Sequence, residues 1–228
     1  MDAQTLQAAY VLHTRRYGDS SLIADLLTRD QGRLACISKG ALRARRRETR
    51  IQAFQPLLVE LRGRGEVLTL TAVESGSAPL RLDGRQLYCG LYLNELILKL
   101  TARQDPCPGL FDDYAQATQS LAADLPAEPI LRRFEVRLLM HLGLGLALET
   151  DTMGSQIMPD RRYAYELGSG PTPVMGEPAG SFSGKALIAL HTGEFDDEIM
   201  LRQARQLMRL IIDYHLDGRP LRSRELFR

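Results

Sequence analysis

Two periods divide the chain. Over the first 75 residues apolar and polar positions alternate in short runs, the period of half-buried strands. "YVLHTRRYGDSSLIADLLT" holds two such runs around a Gly18-Asp19 turn, and "GRLACIS" holds a third, in which Leu34, Cys36 and Ser38 alternate with Ala35 and Ile37. "PLLVEL" and "EVLTLTAV" then flank Arg62-Gly63-Arg64-Gly65, with Leu57, Val59 and Leu61 on one face, which predicts a hairpin. Five short strands without a long helical stretch predict a small barrel or sandwich.

The period changes after "SGSAPL" (75–80), a Gly/Ser/Pro linker. In "LYCGLYLNELILKL" (87–100), Leu87, Leu91, Leu98, Tyr88, Tyr92 and Ile97 surround most of one helix, which predicts a central place in a bundle. Asn94 and Glu95 interrupt it and read as a buried hydrogen-bonded pair anchoring neighbouring loops, with general acid/base work as the alternative. "GLFDDYAQATQSLAAD" and "EPILRRFEVRLLMHLG" predict two further helices, the second opening at Glu128-Pro129 and stopping at Gly143. Residues 144–180 are less regular, and "GSGPTPVMGEPAG" reads as loop. Ser183 reads as the N-cap of a helix through Leu190. "DDEIMLRQARQLMRLIIDYHL" is amphipathic, with Met200, Ala204, Leu207, Met208 and Ile211 as its stripe, and one capped turn is expected from Ser223.

An apolar fraction of 44% with 25% charged residues is that of a globular chain with a core. No run of 18 apolar residues exists, and the N-terminus shows neither a basic n-region nor an apolar h-region, so a cytoplasmic protein without membrane association is expected. Cys36, Cys89 and Cys107 are too few and too scattered for a disulfide framework or a thiolate zinc site.

Charge changes the picture more. The chain balances 29 Lys+Arg against 28 Asp+Glu, yet residues 1–80 hold 12 basic and 8 acidic side chains while residues 81–228 hold 17 and 20. "SKGALRARRRETR" (38–50) gathers Lys39, Arg43, Arg45, Arg46, Arg47 and Arg50 around a single acid, Glu48. A solvated loop is one reading. Arginines on a loop between two strands also reach a phosphate backbone without demanding a base sequence, and a barrel with a basic loop is the arrangement of oligonucleotide-binding (OB) folds. Arg33 and Arg64 join this expected DNA-binding set. Only Tyr10, Tyr17 and Phe54 are available as aromatic platforms, so binding is expected to be mainly electrostatic and to discriminate weakly between single and double strands. Arg202, Arg205 and Arg209 at helical spacing, with Arg219, Arg222 and Arg224 beyond, either extend the track or form an exposed helix face.

Catalytic patterns are missing. "GSFSGKA" (180–186) has three residues between its glycines where a phosphate-binding loop needs four, and Ala186 stands where that loop needs Ser or Thr. "GLGLAL" (143–148) follows a helix instead of a strand. His13, His141, His191 and His215 are isolated, and no G-x-S-x-G elbow occurs. No catalytic residue, metal ligand or cofactor is expected, although a hydrolase assembled from scattered residues stays a formal alternative.

The phrases "VLHTRRYGDSSLIADLLTRDQGR", "SKGAL", "FQPLLVELRGRGEV", "LYCGLYLNELI", "EPILRRFEVRLLMHLG" and "GRPLRSRELFR" together resemble the RecO family of bacterial recombination mediators in its gammaproteobacterial form. The resemblance runs from about residue 8 to residue 228 and implies an α+β protein: an OB-fold barrel (1–80), a helical bundle (81–145), and a C-terminal region (146–228) of irregular loop and helices packing on the bundle. It implies a non-enzymatic, nucleoid-associated protein that binds single- and double-stranded DNA, anneals complementary strands, and engages the acidic, Phe-ended C-terminal tail of single-strand-binding protein. With RecR, and RecF at some lesions, such a protein helps RecA replace single-strand-binding protein at gaps. For the tail, which needs cations beside an apolar slot, Arg132, Arg133 and Arg137 with Leu138, Leu139 and Leu142 are the expected site, or else bundle core with a solvated side. Many members carry a four-cysteine zinc site in the region of 148–175; no cysteine stands there, so zinc is not expected. A reading from another class is a protein-docking adaptor that recognises acidic peptides and touches DNA weakly.

Overall fold

The structure, a computed structural model, describes residues 6–41 and 51–227. Its elements are β1 (Gln7–Tyr17), β2 (Ser21–Thr28), β3 (Gly32–Ser38), β4 (Pro56–Arg62), β5 (Val67–Ser75), α1 (Gly84–Leu100), α2 (Pro108–Ala122), α3 (Ala127–His141), β6 (Arg162–Glu166), β7 (Gly170–Val174), β8 (Phe182–Ser183), α4 (Gly184–Thr192) and α5 (Glu198–His215), with a terminal 3-10 helix, Arg222–Phe227. They separate into two compact units, Met1–Asp124 with Ser223–Arg228, and Leu125–Arg222.

In the first unit β1 to β5 close a barrel in the order β1-β2-β3-β5-β4. All neighbours are antiparallel except β3 and β5, which run parallel. This is the Greek-key closure of OB folds. Strand alternation sends one side of each strand inward, where Ala9, Val11, Ala24, Leu26, Cys36, Leu57 and Val59 form the core and Leu61, Leu68, Leu70 and Val73 pack against it. Burial, and after it the Asp25 carboxylate, push the Cys36 thiol up to about 12. Cys36 is therefore an inert core thiol, as free cysteines in apolar surroundings are.

Helix α1 buries one stripe, Cys89, Tyr92, Leu93, Leu96 and Ile97, rather than its whole circumference, because it packs against β1 and α2 on that side. Gly90 lets it close on the barrel: a Cβ there would lie 2.7 Å from the ring of buried Phe54. Asn94, only 2% exposed, donates through Nδ2 to the Leu12 carbonyl (2.8 Å), and its Oδ1 accepts from the Tyr114 hydroxyl on α2 (2.6 Å). Glu95 accepts from both the backbone N–H and Oγ of Ser223, at 2.8 and 2.7 Å, which caps the terminal 3-10 helix with a side chain from α1. These two polar residues in an apolar helix are anchors, each tied to a different element.

In the second unit α3, α4 and α5 pack on one another, with β8 against α4 and α5. Ser183 accepts from the Ala186 N–H at the start of α4, and Asp197 accepts from the Met200 N–H at the start of α5. Where the sequence reads as loop, β6 forms a sheet with β7 on one side and β8 on the other. Pro171 and Pro173 mask β7 in the sequence, since proline lacks the N–H that a central strand needs. As β7 is an edge strand, alternate prolines cost it nothing, and they pair with Tyr165 and Tyr163 across β6.

Candidate nucleic-acid interface

Alternation that fills the barrel also sets its outer face. Because Ala24 and Cys36 point inward, their neighbours Ile23 and Ile37 point outward, and the registers Arg15 to Ile23, Ile23 to Ile37, Ile37 to Thr69 and Thr69 to Arg62 join into one row crossing all five strands. The row has an arginine at each end and, between them, buried Ile23, half-buried Ile37 and half-buried Thr69. Tyr17, two residues beyond Arg15 and opposite Ser21, continues the same face to the tip of the first hairpin. Lys39 follows Ser38, whose partner is Leu22, and so stands exposed at that same end of the barrel.

Exposed cations divide into held and available ones. Arg29 makes two bonds to Asp112 (2.6 and 3.0 Å), Arg62 reaches Glu60 (2.7 Å), and Arg103 lies 3.6 Å from Asp25. Arg15, Arg16, Lys39 and Arg64 are exposed and make no ion pair with the described residues. Arg64 stands between Gly63 (φ 123) and Gly65 (φ 105), conformations that side chains rarely adopt, and the turn they allow carries its guanidinium outward from β4–β5.

Arg33 is different. It donates through Nε to Thr101 Oγ1 (3.1 Å) and through NH2 to the Thr101 carbonyl (2.8 Å), and its own carbonyl accepts from the Gln104 N–H (2.9 Å). Burial, and after it the neighbouring Arg103, lower its guanidinium from its ordinary value. Arg33 therefore fastens β3 to the connection after α1. Arg43, Arg45, Arg46, Arg47 and Arg50 lie outside the described residues. Arg15 and Arg16 stand outside the DNA-binding set expected from the sequence, although a pair of arginines beside an aromatic at a hairpin tip, "RRYGD", marks them there.

Of the three aromatics, Tyr10 is 5% exposed and packs its ring 5.3 Å from Phe111 and 5.1 Å from Tyr114, while Phe54 is 5% exposed. Tyr17 is 56% exposed.

In the second unit α3 presents Arg133, Arg137 and Met140 outward, and Met140 is 61% exposed. Arg132 is buried and bonded to Glu135, Leu138 and Leu139 are buried as well, and Leu142 is half-buried. On α5, Arg205 reaches Glu128 of α3 (3.4 Å) and Arg209 lies 3.8 Å from Asp213, whereas Arg219 donates to the Leu216 carbonyl (2.9 Å). Arg202 is exposed on the same helix, and Arg222 and Arg224 belong to the terminal 3-10 helix.

The segment within 148–175, where no zinc is expected, is held by its own hydrogen bonds. Asp151 Oδ1 accepts from the Met153 and Ser155 N–H groups (2.9 and 3.0 Å), its N–H donates to the Ser155 carbonyl (2.8 Å), and the buried Tyr163 hydroxyl accepts from the Met158 N–H (2.8 Å). Among the described residues no three His, Cys, Asp or Glu side chains gather as metal ligands, so the residues present do not fit a zinc ion. No helix among them is long and apolar enough to cross a membrane.

Comparison with known proteins agrees with this architecture. Residues 1–78 match the family "Recombination protein O N terminal", and residues 81–225 match "Recombination protein O C terminal". The chain belongs to the RecO family. It is 43% identical over 225 residues to the DNA repair protein RecO of Methylococcus capsulatus, covering 98% of this chain and 93% of the relative. To the protein of the same name from Pseudomonas aeruginosa it is 41% identical over 227 residues, covering 100% and 96%. To that of an Azoarcus species it is 42% identical over 229 residues, covering 96% and 93%. The family's field is DNA repair and recombination.

Proposed function

We propose that this chain is a recombination mediator that binds single- and double-stranded DNA through the exposed cations of its barrel. The contacts are Arg15, Arg16, Lys39 and Arg64 together with the basic segment holding Arg43, Arg45, Arg46, Arg47 and Arg50. The observation that carries the reading is the conjunction of an OB-type barrel with exposed cations that no carboxylate among the described residues claims. Annealing requires two polyanions to approach; a basic surface lowers that repulsion while base pairing chooses the partners. This work needs no bond made or broken by the protein, so the reading is non-enzymatic, in the cytoplasm and associated with the nucleoid.

In the same reading the acidic, Phe-ended tail of single-strand-binding protein docks on α3. Arg133 and Arg137 meet its carboxylates, and Met140 with half-buried Leu142 meets its aromatic ring. Arg132 and Leu139 contribute from within, as support. RecR, and RecF at some lesions, act with it to load RecA.

The test is a salt titration of labelled single-stranded DNA on the wild type and on a variant with Arg43, Arg45, Arg46 and Arg47 changed to Ala. With about six phosphates neutralised, log affinity falls against log salt with a slope of roughly −4, and the fourfold change makes it markedly shallower. A wild-type slope near zero rejects the electrostatic grip. An unchanged slope in the variant favours the other reading, a docking adaptor for acidic peptides.

A further inference from the structure

Tyr17 is the one exposed ring among the aromatics of the barrel segment that the sequence offered, and it has no ring, hydrogen-bond or ionic contact among the described residues. It ends β1, its backbone opposite Ser21, and the turn beyond it starts at Gly18 (φ 61), where nothing lies within 4 Å of an added Cβ. Its side chain shares the outer face with Arg15, whose guanidinium no described carboxylate binds. A large ring held at a hairpin tip with no partner contributes little to the stability of the barrel. The same ring beside a cation, at the end of the first strand where the first hairpin of an OB-type barrel turns, has the composition of a nucleic-acid stacking platform.

We propose that Tyr17 stacks on an unpaired base of a bound strand while Arg15 and Arg16 hold the flanking phosphates, which makes the first hairpin the part of the protein that tells single from double strands. The proposal rests on the DNA-binding reading above and deepens it. Phosphate contacts serve both kinds of DNA alike, because both present the same charges. A stacking ring serves only a strand whose bases can be splayed out, because in a duplex each base face is already covered by its neighbours. Binding through Tyr17 therefore adds affinity for single strands alone, and the protein discriminates more than its cations do. For annealing, the ring would hold a base unstacked and open for pairing until a complementary strand displaces it.

Full-length wild type, Tyr17→Ala and Tyr17→Phe are compared by fluorescence anisotropy on three labelled probes of roughly 15 nucleotides, a length suited to one OB barrel: an oligothymidylate, an abasic phosphodiester of equal length, and a duplex. Tyr17→Ala loses about tenfold in affinity for oligothymidylate and nothing on the abasic strand or the duplex, while Tyr17→Phe binds like the wild type. Because the chain contains no tryptophan, Tyr17→Trp supplies a direct reporter, whose emission is quenched by oligothymidylate and not by the abasic strand. If wild type and Tyr17→Ala bind oligothymidylate equally well and Tyr17→Trp emission stays constant as the strand binds, the platform is rejected while the DNA-binding reading stands. An equal loss on all three probes also rejects it, since the ring would then act through the fold or the field. If the wild type binds none of the probes, the DNA-binding reading falls and the platform with it.

Discussion

Asn94 uses both halves of its amide inside an apolar helix, and that use decides what its replacement does. Changing it to Leu takes its amide away from both the Leu12 carbonyl and the Tyr114 hydroxyl in the interior. Unsatisfied buried groups cost more than the bonds themselves contribute, so Asn94→Leu lowers stability by about 3 kcal/mol, and Tyr114→Phe, which strands only the Asn94 oxygen, by about 1–2 kcal/mol. The double variant loses less than the sum, because both changes remove one shared bond; urea unfolding of the four proteins measures that coupling. Strict additivity would mean that the Tyr114 hydroxyl does not depend on Asn94. An anchoring role for Asn94 was readable from its place in an apolar run, whereas its partners, on β1 and α2, were not. Arg33 shows the same limit from the other side. In sequence it is one more cation beside a strand, and only the fold puts Thr101 within reach of its guanidinium.

Alternation and turn chemistry made the barrel hairpins legible, since Gly18, Gly63 and Gly65 punctuate runs whose inward residues, such as Leu57 and Val59, are the core. The sheet in the second unit hid because two prolines in β7 cancel the strand signal, and only an edge position reconciles them with a ladder. The turn before it was equally opaque. Its order comes from backbone bonds such as that of the Asp151 N–H to the Ser155 carbonyl and from one carboxylate, Asp151, which accepts from two N–H groups. Two outcomes follow for that element. Chelators such as EDTA leave the melting temperature unchanged, because a turn held by a carboxylate loses nothing when metal is withdrawn. Asp151→Ala leaves those N–H groups to water, lowers stability by about 1 kcal/mol and opens the peptide bonds near Gly154 to limited proteolysis. A fall in melting temperature with EDTA would show that a metal does part of this work.

With 29 basic against 28 acidic side chains, the proposed DNA binding depends on the uneven placement of charge, and exposed cations occur in both compact units. If the barrel face serves DNA and α3 serves an acidic peptide, the two sets of arginines are separable by substitution. Changing Arg15, Arg16 and Lys39 to Ala removes three phosphate contacts, which flattens the salt slope on single strands by about 2 and weakens DNA binding at least tenfold. Affinity for an acidic, Phe-ended peptide is unchanged by it. Changing Arg133 and Arg137 to Ala does the reverse, lowering peptide affinity by about 1–3 kcal/mol through lost charge-assisted bonds while the DNA slope is preserved. Titrating both ligands on both variants distinguishes two specialised surfaces from one indiscriminate field, because a protein that merely attracts anions would lose both affinities together in each variant and regain both at low salt. Independent losses that add in the combined variant assign DNA to the barrel and the peptide to the helices; parallel losses abolish the division of labour and leave net local charge as the whole explanation.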